Sequence, residues 1–261
     1  MLRTRIIPIL LLNDGGLVKT IKFSKDKYIG DPINAVKIFN QKEVDELILL
    51  DISATRNGTS PNFLEIKEIV SEAFMPVGYG GGISKMEHIE QLFNIGVEKV
   101  ILNTTIFTNR NLIQEAVNIY GSQSIVASLD VKKDIWGTYK VYSNSGKKKQ
   151  NLTLESCIKL IQESGFGELV INSIDRDGTM LGYDLELIEK VSRMLNIPVV
   201  AVGGAGTISD FVKAIKAGAA AIAAGSMFVF QGVHKAVLIS YINTDQLERE
   251  LKNNPIIRNN E

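Results

Sequence analysis

A single cysteine, Cys157, stands in the whole chain of 261 residues. One thiol excludes an internal disulfide, and with it the disulfide-stapled secreted scaffolds; a reducing cytoplasm is the expected setting. Cys157 sits in the helical pattern TLESCIKLIQESG and reads as a core residue rather than a nucleophile. There are only two histidines, His88 and His234, with no metal-ligand spacing to each other or to acids. Both read as helix residues, and neither a metal nor another cofactor is expected. Charge of one sign is also missing. Lysine plus arginine and aspartate plus glutamate each number 29, so neither a nucleic acid nor a membrane surface is indicated as a partner. No uncharged apolar run is long enough to span a bilayer. The N-terminus runs directly into strand-like sequence, with no signal-peptide pattern.

What the chain has is apolar mass and glycine. It is 45% hydrophobic, enough to build the core of one large α/β domain across residues 1–261. The run VVAVGGAG, from Val199, is a buried strand turning on Gly203, Gly204 and Gly206 into a helix from Ile208. A second apolar run, Ala219 to Ala224, ends in Gly225-Ser226 and another helical piece. Glycine lets the backbone turn tightly and a ligand come close. Helix N-termini offer unpaired N–H groups and partial positive charge. Together the two turns predict a phosphate cup. The same order occurs earlier, where a strand ending near Tyr79 turns on Gly80, Gly81 and Gly82, and the next ends in Asn103-Thr104-Thr105. Gly80 and Gly203 are 123 residues apart, close to half the chain, so the pattern predicts an internal duplication and a second cup.

In order, buried strands are expected at 5–12, 46–52, 75–79, 99–102, 124–130, 168–174, 199–202 and 219–224, each followed by a helical pattern. Residues 17–30 read as a long lysine-rich loop and SATRNGTS (53–60) as a polar one. Asp31-Pro32 has the signature of an N-cap followed by proline at N1. Residues 131–151 resemble a hairpin with a basic tip at Lys147, Lys148 and Lys149, which together with Trp136 could serve as a lid surface. The last helix is expected from near Val233, and the tail 253–261 as frayed. Eight strand–helix units in two halves predict a single (β/α)8 TIM barrel rather than an open doubly wound sheet.

Barrel chemistry sits at the C-terminal strand ends. The polar candidates there are Asp51, Asn103, Asp130, Asn172, Asp175, Asp177 and Ser226. Asp130 closes an otherwise apolar strand and is placed to act as a general acid or base. Lys19, on the first loop, could reach a phosphate. At the other end, Arg5, Glu46, Lys99 and Glu168 open four strands and could pair as a ring.

These residues resemble the cyclase subunit of imidazole glycerol phosphate synthase from about Met1 to Tyr241. The resemblance rests on RIIP, NDG, GDP at Gly30–Pro32, DELILLDI, GGGI at Gly80–Ile83, SLDVK around Asp130, DRDGT at Asp175–Thr179, GYDLEL, and GGAG at Gly203–Gly206. It implies phosphate binding by Gly82, Asn103 and Thr104 in one half and by Asp177, Gly178, Gly204 and Ser226 in the other. It implies a glutaminase partner at the barrel bottom, with Arg5, Glu46, Lys99 and Glu168 as the ammonia entrance. The family also pairs the strand-5 aspartate with one on strand 1. Here that position is Leu11, and Asp14, three residues on, belongs to the following turn. With Asn172 and Val202 at two further polar positions, the chain is more similar to a side branch associated with acetamidino modification of surface-polysaccharide sugars. That branch implies a barrel working with a glutaminase and a separate ATP-dependent amidotransferase on a phosphorylated small molecule. The other readings are the histidine-pathway lyase itself and a conduit or scaffold without chemistry of its own.

Overall fold

The computed structural model describes residues 3–242 and 244–253. Eight parallel strands form the frame: β1 (Arg5–Asn13), β2 (Leu47–Asp51), β3 (Val77–Gly80), β4 (Lys99–Leu102), β5 (Ile125–Lys133), β6 (Glu168–Ser173), β7 (Val199–Val202) and β8 (Ala221–Ala224). Each pairs in parallel with the next, and β8 returns to β1 through Arg5↔Ala221 and Ile7↔Ala223, so the sheet closes into a barrel. The strands are rich in Ile, Val and Leu because both faces are buried. One face fills the barrel with Ile7, Ile9, Ile48, Ile101, Val126, Val170 and Val200. The other packs under the helices.

The helices are α1 (Pro32–Gln41), α2 (Phe63–Ser71), α3 (Met86–Asn94), α4 (Arg110–Tyr120), α5 (Leu154–Ser164), α6 (Leu185–Met194), α7 (Ile208–Lys216) and α8 (Thr244–Asn253). Their starts follow local side-chain chemistry. Asp31 accepts from the Asn34 N–H at 2.8 Å with Pro32 opening α1. Asn62, Asn109, Thr153 and Asp184 cap α2, α4, α5 and α6 in the same way, and Thr207 with Asp210 forms a capping box on α7. Cys157 is buried in α5, as its pattern predicts.

The two halves repeat. An antiparallel hairpin continues β1 (Leu11↔Val18), and another continues β5 (Val131↔Val141). Glycine turns follow β3 and β7, and one-turn helices, Thr105–Thr108 and Ser226–Val229, follow β4 and β8.

Several connections differ from the sequence expectation. Residues 17–30 are not an open loop but a hairpin of Gly16–Ile21 and Ser24–Gly30. Its inner face carries buried Lys19 and Thr20, which hide the apolar alternation of a strand. The polar stretch after β2 contains a helical turn, Ala54–Asn57, closed by Gly58 in the left-handed region. The last helix starts at Thr244 rather than near Val233. Residues 230–237 form a small hairpin instead, with Gly232 at φ +69° and Lys235 at φ +49°. His234 therefore lies in a turn, not a helix. The tail expected to fray lies, beyond Asn253, outside the described residues. Among the described residues no helix is long and apolar enough to cross a membrane.

Candidate functional site

The C-terminal strand ends enclose a mouth cavity of about 790 Å³. Leu11, Lys19, Gly82, Asn103, Thr104, Asp130, Asp177, Gly178, Gly204 and Ser226 all line it. Nine of these are the residues singled out for binding and catalysis, and the tenth is the leucine at the departing position.

Asp130 sits on β5 between two amides. Asn103, on the β4 side, donates to its Oδ2 at 3.1 Å and to the Ser128 carbonyl at 3.0 Å. Asn172 is its register partner on β6. Burial, helped by the Asp177 carboxylate, pushes the Asp130 carboxyl up to about 7, and the two amides oppose the rise. A carboxyl with that affinity can hold or release a proton near neutral pH. Across the mouth, Leu11 pairs in register with Leu50. Leu11–Leu50 and Asp130–Asn172 occupy matching places in the two half-barrels. One wall is therefore acidic and amide-lined, while the other, with Ile9 below, is apolar.

Asp177 and Gly178 clamp the first hairpin. The Thr20 hydroxyl donates to Asp177 Oδ2 at 2.8 Å, the Phe23 N–H donates to the same oxygen at 3.3 Å, and the Lys22 N–H donates to the Asp177 carbonyl at 3.0 Å. Gly178 has φ +68°, and a Cβ there would stand 2.0 Å from the Thr20 carbonyl oxygen. Burial raises the Asp177 carboxyl, partly offset by those bonds and by Lys19. Lys19 is fully packed; its ammonium donates to the Ile9 carbonyl and lies against Gly225. Burial lowers it to about 8 against the pull of Asp177.

The glycine turns are held by close contacts. Gly82 has φ +68°, and its N–H donates to the Thr55 hydroxyl at 3.1 Å. Gly204 has φ +108°, and a Cβ would meet the Gly182 carbonyl oxygen at 2.2 Å. The Gly206 N–H is taken by Asp210. The tip of the second hairpin crosses the mouth. The Asn144 N–H donates to the Thr104 hydroxyl at 3.2 Å, the Ser145 hydroxyl donates to the Ile52 carbonyl at 3.1 Å, and Gly146 meets the Phe23 ring. Lys147 faces the cavity. Trp136 belongs to the opposite turn of that hairpin, is 84% exposed and does not line the mouth. Thr55, Phe23 and Ser145 were not legible as site residues, because only the folded turns bring them over the barrel. His88 is a buried helix residue stacked edge-on against Phe63. Among the described residues no group of three or more His, Cys, Asp or Glu is placed to hold a metal.

At the strand-start end, Arg5 pairs with Glu46 and Glu168, and Lys99 bridges the same two at 2.9 and 3.0 Å. The four form a closed ring. Glu46 and Glu168 are buried, so the ring is a partly sheltered network rather than a set of loose surface charges.

The sequence profile of the family described as "Histidine biosynthesis protein" matches residues 5–235, which is nearly the whole barrel. The chain belongs to this family. Within it, the chain is 48% identical over 249 residues to a Pseudomonas aeruginosa protein provisionally named imidazole glycerol phosphate synthase subunit hisF2, covering 95% of this chain and 99% of that one. It is 46% identical to a Vibrio vulnificus protein provisionally named subunit hisF3, over 97% and 98% of the two chains. To the imidazole glycerol phosphate synthase subunit HisF of Natranaerobius thermophilus it is 36% identical, over 96% and 100%. All three relatives carry names of the HisF subunit of imidazole glycerol phosphate synthase.

Proposed function

We propose that this HisF-like chain is the ammonia-accepting barrel subunit of a glutamine-dependent amidotransferase, and that it supports acetamidino modification of a surface-polysaccharide sugar rather than closing an imidazole ring. The observation that carries the reading is Leu11. It stands where the cyclase pattern needs a second carboxylate, and it belongs to an apolar wall with Leu50 and Ile9. A leucine neither gives nor takes a proton. Asp130 alone remains for acid–base work.

In this reading a glutaminase docks on the strand-start face, and ammonia passes the ring of Arg5, Glu46, Lys99 and Glu168. A phosphorylated acceptor lies in the mouth, its anionic groups held by Gly82, Asn103 and Thr104 on one side and by Gly178, Gly204 and Ser226 on the other. Lys19 and the hairpin anchored on Asp177 close over it, and a separate ATP-dependent enzyme activates the acceptor. The histidine-pathway cyclase is the second reading, favoured by the retained Asp130 and by both glycine turns. Mixing the purified chain with a glutaminase subunit from the same organism tests the partnership. Glutamine hydrolysis should rise several-fold on mixing and depend on Lys99. Hydrolysis indifferent to the barrel contradicts the reading.

A further inference from the structure

Three large apolar side chains stand almost wholly in solvent at the mouth end of the barrel. Val233 is 96% exposed, Ile135 91% and Trp136 84%. Ile135 and Trp136 occupy the turn that follows β5, beyond Asp130, and hydrogen bonds fix its shape. The Trp136 and Thr138 N–H groups donate to Asp134 Oδ1 at 3.0 and 2.9 Å, and the Gly137 N–H donates to the Asp134 carbonyl at 3.0 Å. Val233 lies in the turn of the 230–237 hairpin. Lys27 ties that hairpin to the one that continues β1: its ammonium donates to the Lys235 carbonyl at 3.2 Å and lies over the Phe230 ring. Two apolar tips therefore stand on opposite sides of the mouth, one by β1 and one by β5.

The charge beside the second tip is of one sign. Residues 131–153 hold six lysines, no arginine and a single acid, Asp134, in a chain whose 29 cationic and 29 acidic residues balance overall. Lys133 pairs with Glu186 and Lys140 with Asp134. Lys132, Lys147, Lys148 and Lys149 form no ion pair among the described residues. The strand Lys148–Thr153 is the outer edge of the sheet and is exposed at every residue but Gln150. Lysines on an edge strand discourage pairing, but that role needs no tryptophan and isoleucine held outward on a fixed turn. Lysine is depleted at protein interfaces, where arginine is favoured. Clustered lysines beside an exposed tryptophan suit a broad anionic surface, with the charge acting at a distance and the indole seated at headgroup level. We propose that the mouth end docks reversibly on an anionic lipid membrane, with Trp136, Ile135 and Val233 entering the headgroup layer and the free lysines drawn to its phosphates. An apolar part and a polybasic part are both required, because either alone holds a peripheral protein weakly. Docking sets the mouth against the headgroups and leaves the strand-start ring open on the far side. The proposal goes beyond the amidotransferase reading and does not rest on it.

Trp136 is the only tryptophan of the chain, so its fluorescence reports on the turn directly. The full chain is mixed with vesicles of phosphatidylglycerol and phosphatidylcholine in equal parts, and separately with phosphatidylcholine vesicles. The emission should shift to the blue, and the protein should sediment, with the anionic vesicles only. Raising salt from about 0.1 to about 1 M, which shortens the screening length from about 10 to about 3 Å, should weaken binding by about tenfold or more. Trp136→Ala and the double variant Lys148→Glu/Lys149→Glu should each lower sedimentation several-fold at an unchanged melting temperature, since all three side chains are exposed. No sedimentation with anionic vesicles, equal sedimentation with both kinds, or full binding by either variant overturns the proposal. A blue shift without vesicles overturns it as well: one that grows with protein concentration assigns the tips to a second copy of the chain, and one produced by the glutaminase assigns them to a protein partner.

Discussion

At the scale of single residues, the mouth is governed by what surrounds Asp130. An ordinary aspartate loses its proton well below neutrality, but burial holds this one near 7. The unfolded chain then releases the proton at lower pH than the folded one. Between the two values the folded state binds more protons, so rising pH costs stability through that window, and above about 7 the whole cost is present. Asp130→Asn removes the charge and keeps a polar group of the same shape. It should raise the melting temperature at pH 8, with a gain of up to about 4 kcal/mol, and make little difference at pH 4. Melting curves at the two pH values check this. Equal effects at both would mean the carboxyl is not held up by burial. The paired leucines Leu11 and Leu50 act in the same direction by keeping the facing wall free of compensating charge.

At the scale of elements, the two hairpins are what the barrel adds over its frame. The first is fixed to the β6–α6 turn by Thr20, Lys22 and Phe23 on Asp177, with Gly178 in contact with the Thr20 carbonyl. A methyl group cannot be placed there without moving one backbone or the other. Gly178→Ala should therefore free the tip at residues 21–24, seen as faster amide exchange of those residues, while the barrel strands keep their protection. Unchanged exchange at the tip would show that the clamp is held elsewhere. This element is also where the sequence was hardest to read. Barrel strands were legible because both faces are apolar, and helix starts because Asp31, Asn62 and Asp184 cap them locally. The hairpin strand Gly16–Ile21 was not, because Lys19 and Thr20 turn inward to the mouth and break the period of two. The glycine turns and Asp130 were legible as candidates, and they line the mouth. Thr55, Phe23 and Ser145 did not, since their contacts, on Gly82, Asp177 and Ile52, join segments far apart in the chain.

At the scale of the whole molecule, the barrel has two ends of different character. One is a ring of two cations and two buried glutamates, and the other is a cavity with one acidic and one apolar wall. Removing Lys99 leaves Glu46 and Glu168 facing each other with Arg5 alone between them. Breaking such a sheltered network is costly, about 3–5 kcal/mol where the remaining charges stay buried. Lys99→Met should lower the melting temperature by several degrees at pH 7, and Lys99→Arg, which keeps the charge, by much less. An equal loss in the two variants would assign the effect to packing alone. Replacing Lys99 thus perturbs folding as well as any passage of ammonia, so transfer experiments need the charge-conserving Lys99→Arg beside it.

With Leu11 facing Asp130, the proposed function predicts that this barrel does not close the imidazole ring efficiently. A missing acid–base group costs roughly 10²–10⁴-fold in rate. Supplying the purified chain with free ammonia and the histidine-pathway ribonucleotide bypasses any glutaminase and measures that step alone. Turnover near background, raised in part by Leu11→Asp, is the predicted result; turnover comparable with that of an authentic cyclase would show that Leu11 is no barrier to ring closure.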